Sequence, residues 1–321
     1  KLIMLENNEY SLYALAAEMK QIIRTAGLDI ELNFQLGSIT DKDKINLILR
    51  SCQPNTIYHA AAYKHVHIVE ENPYEGLRNN FLGTTVLAKA AINFGVKKFI
   101  LISTDKAVRP SNIMGASKRL AEMGLQALAV DKTETKFAVV RFGNVLNSSG
   151  SVVPLFRSQI LDGGPITITH PDVTRYFMTI SEATQLVIQA GAMADSHSIN
   201  SIGAPLYLLD MGEPVKISDL AVNMAQLYGK SIIDSQTGKG DIELLNIGLS
   251  PGEKLHEELL IDGTAEKTFH QKINVTSEAF LPLKDFEYQI KNLETIIKQA
   301  DRKALYKFLS DNLDGYQINK N

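Results

Sequence analysis

Apolar segments alternate with amphipathic helical patterns through the first 144 residues, and this alternation constrains the fold more than any other feature. The predicted strands are apolar or β-branched runs at 1–6, 29–36, 56–60, 98–103 and 137–142. The predicted helices carry apolar residues on one face and lie at 10–24, 41–49, 73–94 and 111–129. Strands that alternate with helices of this length form parallel sheets with helices on both faces. The sequence therefore predicts an α/β fold built on a doubly wound parallel sheet.

The alternation loosens after Asn144, where short apolar segments stand among helices and glycine or proline turns. We predict a sheet domain at 1–145, a smaller mixed α/β lobe at 146–284 that is interleaved with it, and a helical tail at 285–321. The chain begins with a strand-like run at Lys1 and without a methionine. We therefore expect it to be the middle of a longer polypeptide.

Charge and cysteine content narrow the classes of partner. The formal net charge is −3 and no long basic run occurs, so nucleic acid is not an expected partner. Cys52 is the only cysteine, which excludes an internal disulfide and a cysteine-built zinc site and suits a reducing cytosol. No histidine spacing resembles a zinc motif, so we expect no metal. No apolar run approaches the roughly 20 residues that span a bilayer, and there is no signal peptide.

The segment STDK at 103–106 follows an apolar strand and leads into a predicted helix that carries Met114 and Lys118. Ligands of open α/β sheets bind at the carboxyl ends of the strands, which is where this hydroxyl, carboxylate and ammonium stand. A solvated charged turn would explain Asp105 and Lys106 alone. It does not explain a second lysine one helical turn beyond Met114, so the sequence favours an active site here.

Three features upstream favour a dinucleotide site. Glu6 ends a predicted strand, where a carboxylate binds the adenosine ribose and repels a 2′-phosphate, so NAD is favoured over NADP. The small residues in HAAA at 59–62 let a ligand approach the backbone, and Asn79 and Asn80 are placed to hold that loop. A solvated strand end and simple close packing remain alternatives. No glycine-rich turn precedes Glu6, so we expect this turn and a first strand to lie outside the chain, which alone should bind cofactor poorly.

These segments resemble the extended short-chain dehydrogenase/reductase superfamily and, within it, the polysaccharide-biosynthesis (CapD-like) UDP-N-acetylglucosamine 4,6-dehydratases. The matching segments cover nearly the whole chain. They are LENNEYSLY from Leu5, HAAAYKHVHIVEENP from His59, NNFLGT from Asn79, STDKAVRPSNIMGASKRLAE from Ser103, VRFGNVLNSSGSVVPLF from Val140, ITITHPDVTRYFM from Ile166 and PGEKLHEEL from Pro251.

The resemblance implies a Rossmann-like NAD-binding domain and a nucleotide-sugar-binding lobe. It implies internal redox on UDP-N-acetylglucosamine: hydride leaves C4 for NAD, water is lost across C5 and C6, and hydride returns to C6. The superfamily usually carries Tyr-x-x-x-Lys, and this sequence has Met114 at the tyrosine position, where a thioether cannot transfer a proton. That substitution resembles the long, membrane-anchored branch of the dehydratases. The catalytic domain would then lie on the cytoplasmic face of the membrane and serve surface polysaccharide synthesis.

The resemblance also implies catalytic roles. Thr104 would hold the sugar C4 hydroxyl, unless it is only a turn cap. Asp105 would protonate the departing C6 hydroxyl, and Lys106 would take the C5 proton. We expect burial and the charges of Lys118 and the nicotinamide to lower the pKa of Lys106 and leave it neutral. The alternative is a structural Asp105–Lys106 salt bridge. Lys118 would bind the nicotinamide ribose, and Met114 would be an apolar filler.

The remaining predicted contacts form two sets. The expected cofactor contacts are Glu6, Asn7, Ser38, Ile39, Ala60, Ala61, Ala62, Lys64, Asn79, Ser103 and Lys118. The expected UDP-sugar contacts are Asn144, Ser151, Val152, Thr167, Arg175, Glu253 and Lys254. Arg175 and Lys254 would face the pyrophosphate and Glu253 a ribose hydroxyl, although each could be an exposed charge.

Two other functions stay open at this stage. A UDP-N-acetylhexosamine 4-epimerase also oxidises C4 but needs no dehydrating acid–base pair. A catalytically idle nucleotide-sugar-binding scaffold would suit Met114 and the missing turn. The apolar faces of the helices at 73–94 and 111–129 suggest a four-helix seam between two copies of the chain, so we expect a homo-oligomer.

Overall fold

The predicted alternation is present in the computed structural model, which describes residues 1–130, 133–194, 203–261 and 265–316. The strands are β1 (Leu2–Glu6), β2 (Leu32–Leu36), β3 (Thr56–His59), β4 (Lys98–Thr104), β5 (Lys136–Phe142), β6 (Asn144–Val145), β7 (Ile166–Ile168), β8 (Thr174–Arg175), β9 (Phe177–Met178), β10 (Leu206–Leu209), β11 (Val215–Lys216), β12 (Leu244–Asn246), β13 (Glu266–Lys267) and β14 (Ile273–Thr276). The helices are α1 (Glu9–Ala26), α2 (Lys42–Cys52), α3 (Val66–Glu71), α4 (Pro73–Leu77), α5 (Thr84–Asn93), α6 (Ile113–Val130), α7 (Val152–Leu161), α8 (Ile180–Met193), α9 (Ile217–Leu227), α10 (Leu283–Gln299) and α11 (Arg302–Asn312). Among the described residues, no helix is both long and apolar enough to cross a bilayer.

The main sheet has six strands in the order β13-β14-β10-β5-β4-β3, and β3, β4, β5 and β10 run parallel. Strand β4 lies between β5 and the edge strand β3, and its residues Phe99, Ile100 and Leu101 are fully buried because helices cover both faces of the sheet. One apolar cluster packs α2, α5, α6, α10 and α11 on one face, and a second packs α8 on the other. This arrangement confirms the predicted doubly wound α/β fold. Strands β1 and β2 form a separate two-stranded parallel sheet.

The region at 146–284 contributes to two layers. Strands β10, β13 and β14 return to the main sheet, where β10 pairs with β5. Helices α7 and α9 instead enclose a small core of their own, which includes Phe156, Ile166 and Ile242. The small lobe therefore faces the carboxyl ends of β4 and β5, where Asn144 begins the crossing into it.

The predicted helix at 73–94 contains a wide turn. Helices α4 and α5 are joined through a π-helical turn at Arg78–Gly83, a distortion that often accompanies functional sites. The turn directs Asn80 at the loop after β3, where its Oδ1 accepts from Tyr63 N at 2.7 Å and its Nδ2 donates to Tyr63 O at 2.9 Å. Asn79 donates to Asn80 Oδ1 at 3.0 Å. The loop is thus held as expected, mainly by Asn80.

The C-terminal helices cover the face that suggested a seam between copies. Helix α6 is buried from Ile113 to Leu128, and α10 packs against it. The Phe286 ring lies edge-on to Phe81 with centroids 5.6 Å apart, and it fills the space where Gly124 has no Cβ. The apolar surface that favoured a four-helix seam therefore has a partner within the same chain. Homo-oligomer formation stays a prediction without this seam to support it.

We expect Phe286→Ala to lower the free energy of unfolding by about 3–5 kcal/mol, because it leaves a cavity between α6 and α10. Tyr288→Ala is the matched control, since this ring is on the same helix and 74% exposed. Urea denaturation followed by circular dichroism measures both. Equal losses in the two variants would show that α10 does not cap the core.

A buried histidine at the end of β3 predicts acid sensitivity. His59 is 3% exposed and its Nε2 lies 2.7 Å from the Thr84 hydroxyl. Burial, with the nearby charge of Lys118, lowers the pKa of His59 from 6.5 to about 3. Between these values the unfolded chain binds a proton that the folded chain does not, so stability decreases as the pH falls from about 6.5 toward 3.

We therefore expect His59 to contribute a slope of about 1.4 kcal/mol per pH unit to the free energy of unfolding in that window. His59→Gln should reduce the slope by this amount, and His67→Gln, which changes an exposed imidazole, should not. Urea titrations at several pH values give the slopes. An unchanged slope in His59→Gln contradicts the assignment.

Candidate active site

A cavity of about 590 Å³ lies where the carboxyl ends of β3, β4 and β5 meet the small lobe. Its size is within the range of small-molecule sites. The predicted site residues that line it are Ala60, Ala62, Lys64, Ser103, Thr104, Lys106, Met114, Lys118, Asn144, Ser151, Val152, Thr167, Arg175 and Glu253. The sheet topology therefore brings together most of the predicted cofactor and sugar contacts.

Other predicted contacts lie elsewhere. Those outside the cavity lining are Glu6, Asn7, Ser38, Ile39, Ala61, Asn79, Asp105 and Lys254. The first four are at the ends of β1 and β2, where Gly37 N donates to Glu6 O at 3.0 Å. Ile39 is buried against Gly83. The Lys254 ammonium donates to Val108 O at 2.8 Å, so it does not face the proposed pyrophosphate position.

The residues at 104–106 form a hydrogen-bonded array at the end of β4. A short 3₁₀ turn begins at Asp105, and Thr104 Oγ1 accepts from Lys106 N at 3.4 Å. The Thr104 hydroxyl donates to Asp105 Oδ1 at 2.9 Å, and the Lys106 ammonium donates to the same oxygen at 3.0 Å. Lys106 also donates to Asn144 Oδ1 at 3.0 Å. Asn144 thus orients the amine besides lining the cavity.

Asp105 lies directly behind the cavity wall. Its side chain is 0% exposed, and its Oδ2 has no hydrogen-bond partner among the described residues. Gly143 makes room for this oxygen, since a Cβ there would lie 3.0 Å from it. Asp105 can therefore reach a ligand only through Thr104 or Lys106, which both line the cavity.

The charge state of Lys106 differs from expectation. Burial lowers its pKa, but the carboxylates of Asp105 and Glu257 raise it more, so the net shift is upward even though Arg175 opposes it. The expected lowering of this pKa is therefore wrong, because that expectation counted burial, Lys118 and the nicotinamide but not the carboxylates of Asp105 and Glu257. Lys106 is an ammonium in this arrangement. The buried location of Asp105 and Lys106 beside Lys118 agrees with the prediction of a shared site.

Lys118 has the opposite environment. It is 5% exposed and its ammonium donates to Ile102 O at 2.7 Å. Burial lowers its pKa from 10.5 to about 8, and Glu122 opposes this only in part. Helix α6 can approach the end of β4 because Gly115 has no Cβ, which would lie 2.1 Å from Lys106 O. Met114, 4% exposed, presents its thioether to the cavity beside Lys118.

A buried ion cluster fixes α6 to the sheet and was not predicted. Arg141 donates to Glu122 Oε2 at 2.6 Å and to Glu278 Oε1 at 2.8 Å, and Arg119 pairs with both carboxylates. The Ser103 hydroxyl donates to Glu122 Oε1 at 2.6 Å. Burial alone would raise the pKa of Glu122, but the two arginines and these hydrogen bonds lower it. Spacings of 19 and 137 residues gave no sequence signal for this cluster.

The small lobe supplies polar groups to the other side of the cavity. Arg175 donates to Glu253 Oε1 at 3.0 Å and to Thr174 O at 2.8 Å, so part of its donor fork is already used. Ser151 precedes the first turn of α7, and its hydroxyl is buried without a hydrogen-bond partner in the described chain. Thr167 is held by Gln159, which accepts from Thr167 N at 3.1 Å. The first turn of α7 and Arg175 thus face the cavity together.

Comparisons with known proteins agree with this fold. Three relatives are similar in sequence: the capsular polysaccharide biosynthesis protein CapD of Staphylococcus aureus, 49% identical over 81% of this chain and 41% of CapD; a UDP-glucose 4-epimerase of Rickettsia rickettsii, 33% identical over 78% of this chain and 69% of the relative; and a UDP-N-acetylglucosamine 4,6-dehydratase (inverting) of Campylobacter jejuni, 30% identical over 83% of this chain and 75% of the relative. The chain thus spans about two fifths of the length of CapD.

Two solved structures share the fold. Pen from Bacillus thuringiensis has a TM-score of 0.70 at 28% identity, and the match covers 90% of this chain and 89% of Pen. DesIV, a dTDP-glucose 4,6-dehydratase from Streptomyces venezuelae solved with NAD and TYD bound, has a TM-score of 0.64 at 19% identity, over 81% of this chain and 78% of DesIV.

A family model described as "Polysaccharide biosynthesis protein" matches residues 1–278. The match includes β1 to β14 and every residue that lines the cavity. The chain therefore belongs to the polysaccharide biosynthesis protein family, within the extended short-chain dehydrogenase/reductases.

Proposed function

We propose that this chain is the catalytic region of a nucleotide-sugar 4,6-dehydratase that converts UDP-N-acetylglucosamine to a UDP-4-keto-6-deoxy-N-acetylhexosamine on the cytoplasmic face of the membrane. The observation that carries the proposal is the array of Thr104, Asp105 and Lys106 at the cavity wall beside Lys118. The names of the Campylobacter dehydratase and of CapD support a dehydratase in surface polysaccharide synthesis.

The cavity fits the nicotinamide end of NAD. Ala60 and Ala62 leave the end of β3 open to a ligand, and Lys118 lies across from them with a buried ammonium. These residues would hold NAD, which supplies a hydride acceptor and donor when bound. Glu6 at the end of β1 remains the predicted ribose contact. The expected glycine-rich turn also stays a prediction.

In the proposed reaction, protons move through the array at the end of β4. Thr104 lines the cavity and donates to Asp105, so a sugar hydroxyl bonded to Thr104 can pass its proton to the carboxylate behind. The same carboxyl can later return a proton, again through the Thr104 hydroxyl, to the departing C6 hydroxyl. Lys106 must lose a proton before it can act as a base at C5, since its carboxylate partners keep it charged.

The UDP moiety would bind in the small lobe. The free Ser151 hydroxyl and the backbone N–H groups of the first turn of α7 form a natural site for a pyrophosphate oxygen. Arg175 faces the same space and supplies the positive charge. Lys254 has no part in this proposal because its ammonium is bonded to Val108.

A 4-epimerase is the second candidate, supported by the name of the Rickettsia relative. Both enzymes would oxidise C4, but the epimerase returns hydride to C4 and loses no water. Proton NMR of the protein with UDP-N-acetylglucosamine separates them: the dehydratase yields a 4-keto-6-deoxy sugar, and the epimerase yields the C4 epimer.

We expect Asp105→Asn and Lys106→Met each to lower the turnover number by about 10²–10⁴, the usual contribution of a general acid or base. Formation of the 4-keto product by the full-length protein is measured by NMR. Matched controls are Asp311→Asn and Lys307→Met, which break an exposed ion pair on α11 at 2.7 Å and should leave turnover unchanged. Near-normal turnover in either active-site variant would remove the proposed roles.

We expect NAD to bind more weakly as the pH rises through about 8, because Lys118 in the free protein loses its charge there. Calorimetric titrations of the full-length protein with NAD from pH 6.5 to 9.5 would show the decline in affinity. Lys118→Met should bind weakly at every pH with a flatter profile, and Lys89→Met, which alters an exposed pair with Glu287, should follow the parent protein. A decline that persists unchanged in Lys118→Met would contradict the assignment.

A further inference from the structure

Glu257 is a buried carboxylate that the proposed reaction does not use. It is 8% exposed, with Oε1 3.6 Å from Lys106 Nζ and 3.9 Å from Arg175 Nε. Its Oε2 has no hydrogen-bond partner among the described residues. A buried carboxylate is costly unless a cation compensates it. Lys106 and Arg175 are therefore the cations that compensate Glu257, and Lys106 is the nearer of the two.

A second cavity of about 410 Å³ also reaches Lys106. Glu257 lines this second cavity, together with Glu70 and Glu71 of α3. Lys106 lines both cavities. The amine thus lies in the partition between them, together with Arg175 and Glu253, and Glu257 lines only the second cavity.

The Lys106 ammonium has three N–H donors and three nearby oxygen acceptors from separate parts of the fold. Asp105 is on its own turn, Asn144 follows β5, and Glu257 comes from the segment after β12. We propose that Glu257 is a positioning residue that holds the Lys106 amine in the partition and stabilises its charged form. This inference rests on the proposed role of Lys106 as the base of the dehydratase.

The charges around Lys106 determine whether its pKa rises or falls when the charge of Glu257 is removed. Burial and Arg175 lower its pKa, and Asp105 and Glu257 raise it. Removing the charge of Glu257 leaves Asp105 to oppose burial and Arg175, so the pKa of Lys106 falls in Glu257→Gln. Asn144 and Asp105 still hold the amine, but the contact from Glu257 in the second cavity is lost.

Competitive acetylation of lysines with acetic anhydride at a series of pH values, read by mass spectrometry, tests this without turnover. In the parent protein we expect Lys106 to become reactive at a higher pH than the exposed Lys42. Glu257→Gln should move the Lys106 profile to lower pH. Glu258→Gln, which removes the neighbouring exposed carboxylate paired with Arg109 at 2.5 Å, should leave it in place.

Kinetics with UDP-N-acetylglucosamine give the second readout. We expect Glu257→Gln to lower kcat by about 10- to 100-fold with little change in KM, since a displacement of about 1 Å at an active group can cost 100-fold. The rising limb of kcat against pH should move to lower pH, and Glu257→Asp, which keeps the charge, should restore part of kcat.

The possible results distinguish the positioning role of Glu257 from the proposed dehydratase function. Identical acetylation profiles in Glu257→Gln and Glu258→Gln, with a working dehydratase, overturn the role of Glu257 alone. A shifted profile in a protein that never forms a 4-keto product supports the positioning role and defeats the proposed function. If Glu257→Gln does not fold, the test is the comparison of Lys106 with Lys42 in the parent protein. The inference is overturned if Lys106 is acetylated at a lower pH than Lys42.

Discussion

The site depends on the buried ion cluster of Arg141, Glu122, Glu278 and Arg119. The side chains of Arg141 and Glu122 are both 0% exposed, and removing one partner from such a pair typically costs about 3–5 kcal/mol. These charges are satisfied in one arrangement of α6, β5 and the segment around Glu278. In the register of β4 and β5, Ser103 lies opposite Arg141, and its hydroxyl joins the cluster through Glu122. The cluster thereby fixes where α6 places Met114 and Lys118 relative to the end of β4.

Two lysines on neighbouring elements have opposite electrostatic environments. Lys118 bonds a backbone carbonyl, and burial lowers its pKa to about 8. Lys106 is partly buried, and the carboxylates of Asp105 and Glu257 overcome the effect of burial. Pairs of groups whose environments differ in this way commonly divide acid–base and binding roles within one active site. In the proposed reaction Lys118 orients the cofactor, whereas Lys106 handles a proton.

Periodicity predicted the main sheet because strand β4 is apolar on both faces and its flanking helices are amphipathic. It also located the site at 103–118, because ligands bind where parallel strands end. It could not predict contacts between residues far apart in the chain. The pKa of Lys106 is raised by Asp105 and, from 151 positions away, by Glu257, and α10 returns to cover the face of α6 that suggested a seam between copies. Both contacts escaped prediction for one reason: a local pattern shows that a face is apolar or a group is charged, but not which distant residue meets it.

Met114 determines where the C4 hydroxyl proton goes in the proposed reaction, and this route makes the charge on Lys106 compatible with catalysis. A thioether at this position cannot accept a proton, so in the proposed reaction the C4 hydroxyl proton leaves through Thr104 to Asp105. The oxygen that accepts it, Oδ1, is also bonded to the Lys106 ammonium at 3.0 Å. Protonation of Asp105 removes the largest influence that raises the pKa of Lys106, and in the proposed reaction the amine then releases its own proton more easily to solvent in the second cavity, which it lines. Oxidation at C4 would thus prepare the base for C5 and, in the same event, the acid for C6, which orders the steps without a tyrosine.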